Sequence, residues 1–344
     1  MHLAGDAQAV SFCFFIVYLR SPMRILVTGA TGLVGSALVR QLVAQDAAVR
    51  IFRRPDSPLD ALGQAADAVE HATGDLTAAH TVRQAMEGIT HVYHAAARVD
   101  IGAGLRALRP VNVHGTAHVL NAARQEGVTR VVHTSSIAAL GRPESHQGLI
   151  SEETDWTGRA DRSAYAQTKR ESELEVHRSI AEGLDAVIVN PALVFGTGRP
   201  DASTHKVVEA VRSERLPGVP PGGTCVVDAE DVAMGMRRAM LHGTTGRRYI
   251  LGSQNLPWIA IISKLAAAHN VEAPTRIISE GWLRAAGGLA EAWAWVTRST
   301  PRFSRTMARS ASRTLRYDTT RARAELECTF RPFTETAARI ADAA

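Results

Sequence analysis

Aromatic side chains are scarce in this chain, at 5% of its 344 residues, and cysteine occurs only three times. Cys13, Cys225 and Cys328 are far apart and odd in number, which argues against a disulfide framework and against metal-ligand spacing. Each reads as a small buried or incidental residue, in keeping with a reducing cytoplasm. The 13 histidines show no His-Glu-x-x-His motif of the zinc type, so no metal site is expected. No transmembrane segment is expected either. The apolar stretch from Ala9 to Leu19 is too short to span a bilayer, and no positive segment precedes it as in a secretory signal. Residues 1–22 read instead as a disordered extension, from an upstream start or of non-native origin, in preference to an interfacial anchor. The net charge of +5 suggests an anionic partner, but no nucleic-acid module accompanies it.

What remains is an ordinary globular composition, 45% hydrophobic and 21% charged, on a chain long enough for one large α/β unit with a smaller lobe. The run Arg24-Ile25-Leu26-Val27-Thr28 reads as a buried strand, and Leu33 to Ala44 has helical apolar spacing. Between them lies Gly29-Ala30-Thr31-Gly32-Leu33-Val34-Gly35, three glycines on a strand-to-helix turn. In that context Gly29 permits the tight turn, Gly32 lets backbone approach a pyrophosphate, and Gly35 lets the helix press on the sheet. The helix N-terminus then faces the phosphates with free N–H groups. The bland alternative is merely a tight turn.

A second strand, Val49 to Phe52, leads into Arg53 and Arg54. A carboxylate near this point binds the ribose 2′-hydroxyl of NAD, whereas arginine accommodates the 2′-phosphate of NADP. Arg54, with Arg53 or Arg50 in support, favours NADP(H) over NAD(H); the alternative is a solvated surface arginine. A third strand, Ala68 to Thr73, is followed by Asp75 and Leu76. Asp75 can reach the adenine edge, cap a turn, or do both. A fourth strand ends in Ala95, Ala96 and Ala97, small enough for a cofactor to lie against backbone.

The fifth strand, Val131 to Thr134, ends in Ser135 and Ser136. Downstream, Tyr165 and Lys169 stand four apart on a helix and so project from one face. A free phenol, with a pKa of about 10, is a poor base at neutral pH, and a nearby ammonium favours its ionised form. Lys169 can therefore tune Tyr165, which exchanges a proton with a carbonyl oxygen that a serine hydroxyl holds in place. The Tyr-x-x-x-Lys spacing is weak alone and gains weight from following the glycine loop and the hydroxyl-ended strand.

These motifs, with Val111-Asn112-Val113-His114-Gly115-Thr116, Asn190 to Gly196 and Asp231-Val232-Ala233, make the chain resemble an extended short-chain dehydrogenase/reductase. Within that superfamily it is similar to the dihydroflavonol-4-reductase-like group and the NAD-dependent epimerase/dehydratase family, with 3β-hydroxysteroid dehydrogenases and sugar epimerases as relatives. The resemblance runs from about Met23 nearly to the end. It implies a Rossmann-type doubly wound parallel sheet at 23–190 and a smaller mixed α/β substrate lobe at 191–344, with segments around 225–251 returning to the first unit.

By the same resemblance, Ser136, Tyr165 and Lys169 are catalytic, with Ser135 as the alternative serine. Gly29, Thr31, Gly32, Leu33, Val34, Gly35, Arg54, Asp75, Leu76, Ala95, Ala96, Ala97, Thr134, Tyr165, Lys169, Pro191 and Val194 line the cofactor. A homodimer is the implied assembly.

Two departures bear on the reaction. Ser135 and Ser136 stand where nucleotide-sugar dehydratases carry an acidic pair. Gly223-Thr224-Cys225-Val226-Val227 lacks the diphosphate-binding arginine of nucleotide-sugar enzymes. The expected function is reduction of an aldehyde or ketone, or oxidation of the matching alcohol. A sugar epimerase or 3β-hydroxysteroid-type dehydrogenase is the enzyme alternative, and a cofactor-sensing regulatory protein the non-enzymatic one.

The stretch 281–316, with Trp282, Trp293 and Trp295 followed by regularly spaced arginines, has three readings. They are membrane-surface contact, a pocket for an anionic or coenzyme-A-linked substrate, and a lobe helix with aromatic core contacts and a solvated basic side. Pro301 interrupts the pattern, which favours the last.

Overall fold

The computed structural model describes residues 23–100, 102–142, 148–156, 163–198, 203–297 and 305–343. The extension at 1–22 and much of the loop from Gly141 to Asp161 fall outside the described residues.

Seven parallel strands organise the larger lobe: β1 (Arg24–Thr28), β2 (Ala48–Arg53), β3 (Glu70–Thr73), β4 (His91–His94), β5 (Arg130–Thr134), β7 (Ala186–Pro191) and β10 (Arg248–Leu251). Their spatial order is β10-β7-β5-β4-β1-β2-β3. The order reverses between β1 and β4, and ligands of open α/β sheets bind beyond the strand ends at such a switch point. Val131, Val132 and Ala186 to Val189 are wholly buried. Strands covered on both faces read as continuous apolar runs, which is why these segments are legible as strands.

Helices α1 (Leu33–Val43) and α7 (Ala229–His242) pack together on one face of the sheet. On the other lie α2 (Ala79–Met86), α4 (Gly115–Gln125) and α5 (Ala164–Ala181). A short helix, α3 (Leu105–Arg109), runs into α4 through a π-helical turn at Pro110–His114. Such turns interrupt the regular ladder and recur at functional sites. Asp228 caps α7 by accepting from Glu230 N at 2.8 Å, and Glu230 and Asp231 place acid in its first turn.

The smaller lobe is built on β8 (Leu193–Phe195), β9 (Gly223–Asp228) and β11 (Gln254–Pro257), in the order β11-β9-β8. Around it pack α6 (Ser203–Arg212), α8 (Trp258–Ala268) and α12 (Phe333–Asp342). Phe195 and Phe333 meet edge-on at 4.9 Å in its core. The stretch 225–251 therefore divides: β9 stays in the small sheet, while α7 and β10 belong to the large one. A two-stranded pair, β6 (Leu149–Ile150) with β12 (Arg316–Tyr317), and α11 (Thr320–Glu325) bridge the lobes: Ile150, Tyr317 and Ala322 join the core of the larger one, while β12 packs on β9. The Asp231 motif anchors the chain end: Arg331 gives both its backbone N–H and its Nε–H to that carboxylate, each at 2.8 Å.

The stretch 281–316 forms α9 (Glu280–Thr297) and α10 (Arg305–Ser312), packed on each other. The expected aromatic core contacts are absent at the two tryptophans whose side chains are described. Trp282 is 73% exposed and Trp293 70%.

Candidate active site

The glycine loop closes tightly on its neighbours. Gly29 has φ of +72°, and a Cβ there would stand 2.6 Å from Ala96 N. A Cβ on Gly35 would stand 2.1 Å from Gly29 O, so α1 presses directly on the loop. Gly32 is different. Its Cβ would meet only Gly29 O, at 3.2 Å, and the space beyond is open. Helix α1 starts at that open place with no side-chain cap and no acid in its first turn. The first N–H groups of a helix lack intrahelical partners. This cradle fits the pyrophosphate of a dinucleotide, and Leu33 and Val34 seat the helix on the core beside it.

Thr28 couples the loop to β4. Its carbonyl accepts from Ala95 N at 3.1 Å and its hydroxyl from Ala96 N at 3.3 Å. The half-buried Ala95, Ala96 and Ala97 thus lie against the switch point. Asp75 and Leu76 follow β3. One Asp75 oxygen accepts from Thr77 N and Thr77 Oγ1, at 2.8 and 2.6 Å. These bonds, and then the charge of Arg54, hold its carboxyl below the ordinary value.

The arginines at the end of β2 are not equivalent. Arg50 is committed to Ala85 O and Glu87 O and pairs with Glu70, so it gives Arg54 no support. Arg53 is held by His71, Arg54 O and Pro55 O. Arg54 is exposed, faces Asp75, and its guanidinium makes no hydrogen bond among the described residues.

Beyond β5, the structure separates the two serines. Ser136 hydrogen-bonds Tyr165, whereas Ser135 Oγ is buried and has no partner among the described residues. Burial pushes the Tyr165 phenol up, and the Ser136 bond partly offsets this. Lys169 lies one turn on, buried, with Nζ donating to Thr134 O at 2.7 Å. Its charge is turned to that strand carbonyl, so the bonded partner of the phenol is Ser136. Burial lowers Lys169 to about 8, against the raising influence of the Glu173 carboxylate. Pro191 ends β7 and Val194 sits half-buried on β8, both beyond the same sheet edge.

Three groups unassigned from the sequence complete the surroundings. Glu173, wholly buried one turn beyond Lys169, accepts from Asn190 Nδ2 at 2.7 Å, and the same amide donates to Ser136 O at 3.0 Å. Asn112, in the π-helical turn, accepts from Arg98 N at 2.7 Å and donates to Thr168 Oγ1 at 3.1 Å. The stripe at 165, 169 and 173 was the available signal for Glu173; the others depend on contacts distant in sequence.

The third group is the buried pair His94 and His133, with rings 5.3 Å apart. Thr116 gives its proton to Asn112 O, so it accepts from His94 Nε2–H at 2.9 Å, and His94 Nδ1 accepts from Thr28 at 2.7 Å. Burial first and Lys169 second lower His94 to about 3, and they push His133 far down as well. Both rings fold neutral and are charged in the acid-unfolded chain. Stability is therefore full above the unfolded value, about 6.5, and falls as the pH drops toward the folded value. The His94 ring is expected to cost about 2 kcal/mol between roughly pH 7 and pH 5, and His133 acts in the same direction. Urea midpoints at the two pH values measure this, and equal midpoints would contradict a neutral buried pair.

Among the described residues, no group of three or more His, Cys, Asp or Glu is placed to hold a metal, and no helix is long and apolar enough to cross a membrane.

The model of the "NAD dependent epimerase/dehydratase family" matches residues 25–252. "Sterol demethylase protein B" of Methylococcus capsulatus is 35% identical over 309 residues, covering 88% of this chain and 93% of the relative. A Synechocystis protein named "Putative dihydroflavonol 4-reductase" is 31% identical over 284 residues, 78% of this chain and 76% of its own. Among solved structures, the crystal structure of gox2253 superposes with a TM-score of 0.81 at 28% identity, over 93% of this chain and 97% of that one.

Proposed function

This chain belongs to the NAD dependent epimerase/dehydratase family and is an oxidoreductase of the NAD(P)-dependent kind, and we propose that it uses NADP(H) to interconvert an aldehyde or ketone and its alcohol. The observation that carries this reading is the placement of Ser136 against the Tyr165 phenol beyond the end of β5, with buried Lys169 one turn on. When bound, the nicotinamide supplies hydride to the carbonyl carbon in reduction and accepts it in oxidation. Ser136 Oγ holds the carbonyl oxygen. Tyr165 Oη gives that oxygen its proton. Burial keeps the phenol neutral, the form that donates, which supports the reductive direction. Lys169 Nζ, held by Thr134 O, supplies a positive charge one turn along the helix from the phenolate left behind and meets the nicotinamide ribose.

Asp75 and Leu76 hold the adenine edge. Gly29, Gly32 and Gly35 admit the pyrophosphate, with Thr31 beside it on the loop. Arg54, uncommitted and at the corner of the switch point, receives the 2′-phosphate. Ala95 to Ala97, Thr134, Pro191 and Val194 line the remaining length.

Glu173 sustains the Lys169 charge in this account. Glu173→Gln is expected to lower the Lys169 pKa below about 8. The ammonium is present below that value and lost above it. NADPH affinity should therefore fall with rising pH earlier in the variant than in the parent, and coincident affinity–pH curves would contradict the coupling.

The name of the Methylococcus relative, together with its identity over nearly all its length, favours a sterol-type alcohol or ketone as the substrate class. The test is NADPH consumption with a panel of small aldehydes, ketones and 3-ketosteroids. Consumption with a panel member, lost in Tyr165→Phe, is the expected result. Tightly retained NAD, no net consumption and interconversion of nucleotide-sugar epimers would replace this reading with an epimerase.

A further inference from the structure

Residues 276–316 carry eight arginines against two glutamates, a net of +6 in a chain whose total is +5, so everything outside the segment sums to −1. The segment is an outgrowth fastened at both ends to one loop. Val219 N donates to Arg276 O and Ile278 N to Val219 O, each at 2.9 Å. At the other end Gly223 N donates to Arg313 O at 3.1 Å and Leu315 N to Gly223 O at 2.9 Å. Between these anchors, α9 and α10 project as a helical hairpin, with Ala308 buried beneath.

Trp282, Leu289 and Trp293 fall at helical spacing on one face of α9, and Leu289 is 74% exposed, as open as the two tryptophans. Arg284 and Arg309 are exposed on the same hairpin, and Arg313 and Arg316 are exposed just beyond its end. Large apolar side chains left open in a row mark an interaction surface. In a chain with only five tryptophans, placing two on one open face is a costly use of them.

We propose that the α9–α10 hairpin docks on an anionic lipid surface. The Trp282–Leu289–Trp293 face enters the headgroup region, and the arginines meet lipid phosphates. An apolar helix face with basic neighbours is the arrangement that lies in a membrane interface. A second copy is a poorer occupant, because a two-fold contact through this face would bring two hairpins of like charge together. Single-stranded nucleic acid is also poorer, since leucine offers no stacking surface to a base.

The experiment is co-sedimentation of the full chain with vesicles of phosphatidylcholine alone and of phosphatidylcholine mixed with phosphatidylglycerol. The anionic vesicles are expected to bind about tenfold more strongly, and added salt should remove the difference. The doubly substituted Trp282→Ser/Trp293→Ser chain should lose binding by at least about tenfold while its NADPH affinity is unchanged, which shows that it is folded. Failure to bind either vesicle would overturn the proposal, as would equal binding by the double variant. So would a dimer that the double variant dissolves, or binding to a single-stranded oligonucleotide in place of vesicles.

Discussion

Tyr165→Phe is expected to reduce turnover by about a hundredfold to ten-thousandfold, the range a positioned proton donor contributes. The ring stays, and only Oη and its bond to Ser136 are lost. Helix α5 keeps its start, because its cap is Ser163 Oγ accepting from Ala166 N at 3.2 Å, remote from the phenol oxygen. Burial of Lys169 and its bond to Thr134 O are untouched as well. NADPH affinity should therefore stay within about twofold, which separates a chemical defect from a binding one. Steady-state rates with a competent carbonyl, measured beside cofactor affinity, decide it. Turnover within about tenfold of the parent would mean that another group supplies the proton.

Gly35→Ala should be the more destructive change, although it touches nothing that reacts. The added Cβ would lie 2.1 Å from Gly29 O and 2.7 Å from Gly29 C. Both are backbone atoms of a loop that is itself pinned, since Gly29 already abuts Ala95 and Ala96. No side chain can rotate away, so α1 must separate from the loop, at a cost of about 3 kcal/mol or more. The same displacement spoils the cradle, and NADPH affinity should fall by at least about a hundredfold, as for other lost backbone contacts to a charged ligand. Gly32→Ala is the control. Its Cβ has one neighbour, at 3.2 Å, and otherwise faces open space. That variant should keep nearly the parent's thermal stability yet bind NADPH poorly, because the methyl occupies the approach to the pyrophosphate. Thermal unfolding and cofactor titration of both variants give the comparison. Equal stability losses at the two positions would contradict the assigned geometry.

The parts of this molecule that are legible from residue order are those set by short-range pattern. The run Arg24 to Thr28 reads as a strand because both faces are covered, and Val131 to Thr134 for the same reason. The glycine loop and the pairing of Tyr165 with Lys169 depend on neighbours within a turn or two. Strand β3 begins at Glu70, later than its apolar start at Ala68 suggests. What sequence could not supply is decided by contacts between distant residues. Ser135 and Ser136 are adjacent, and only the position of α5 brings one of them to Tyr165. Arg50, Arg53 and Arg54 look alike until His71, Ala85 and Glu87 take up the first two. The second sheet joins β9 to β11 antiparallel and to β8 parallel, a mixture no local periodicity encodes.

The tryptophans of α9 mark a different limit. Aromatic residues at helical spacing are ordinarily core, and the reading of 281–316 as a lobe helix with aromatic core contacts follows that tendency. The hairpin is held through its ends, and among the described residues no layer lies over Trp282 and Trp293. Glu173 and Asn190 teach the complementary lesson. Neither has a role that its own neighbours in sequence assign, yet together they connect the helix bearing Tyr165 to the backbone of Ser136.

The central claim is that this oxidoreductase works with NADP(H), and a parallel fluorescence titration with NADPH and NADH tests it most directly. The account predicts clearly tighter NADPH binding. It also predicts that Arg54→Ala weakens NADPH by about ten- to a hundredfold while leaving NADH within about twofold, since only the 2′-phosphate loses its partner. Equal or tighter binding of NADH by the parent chain would contradict the claim and remove the role given to Arg54.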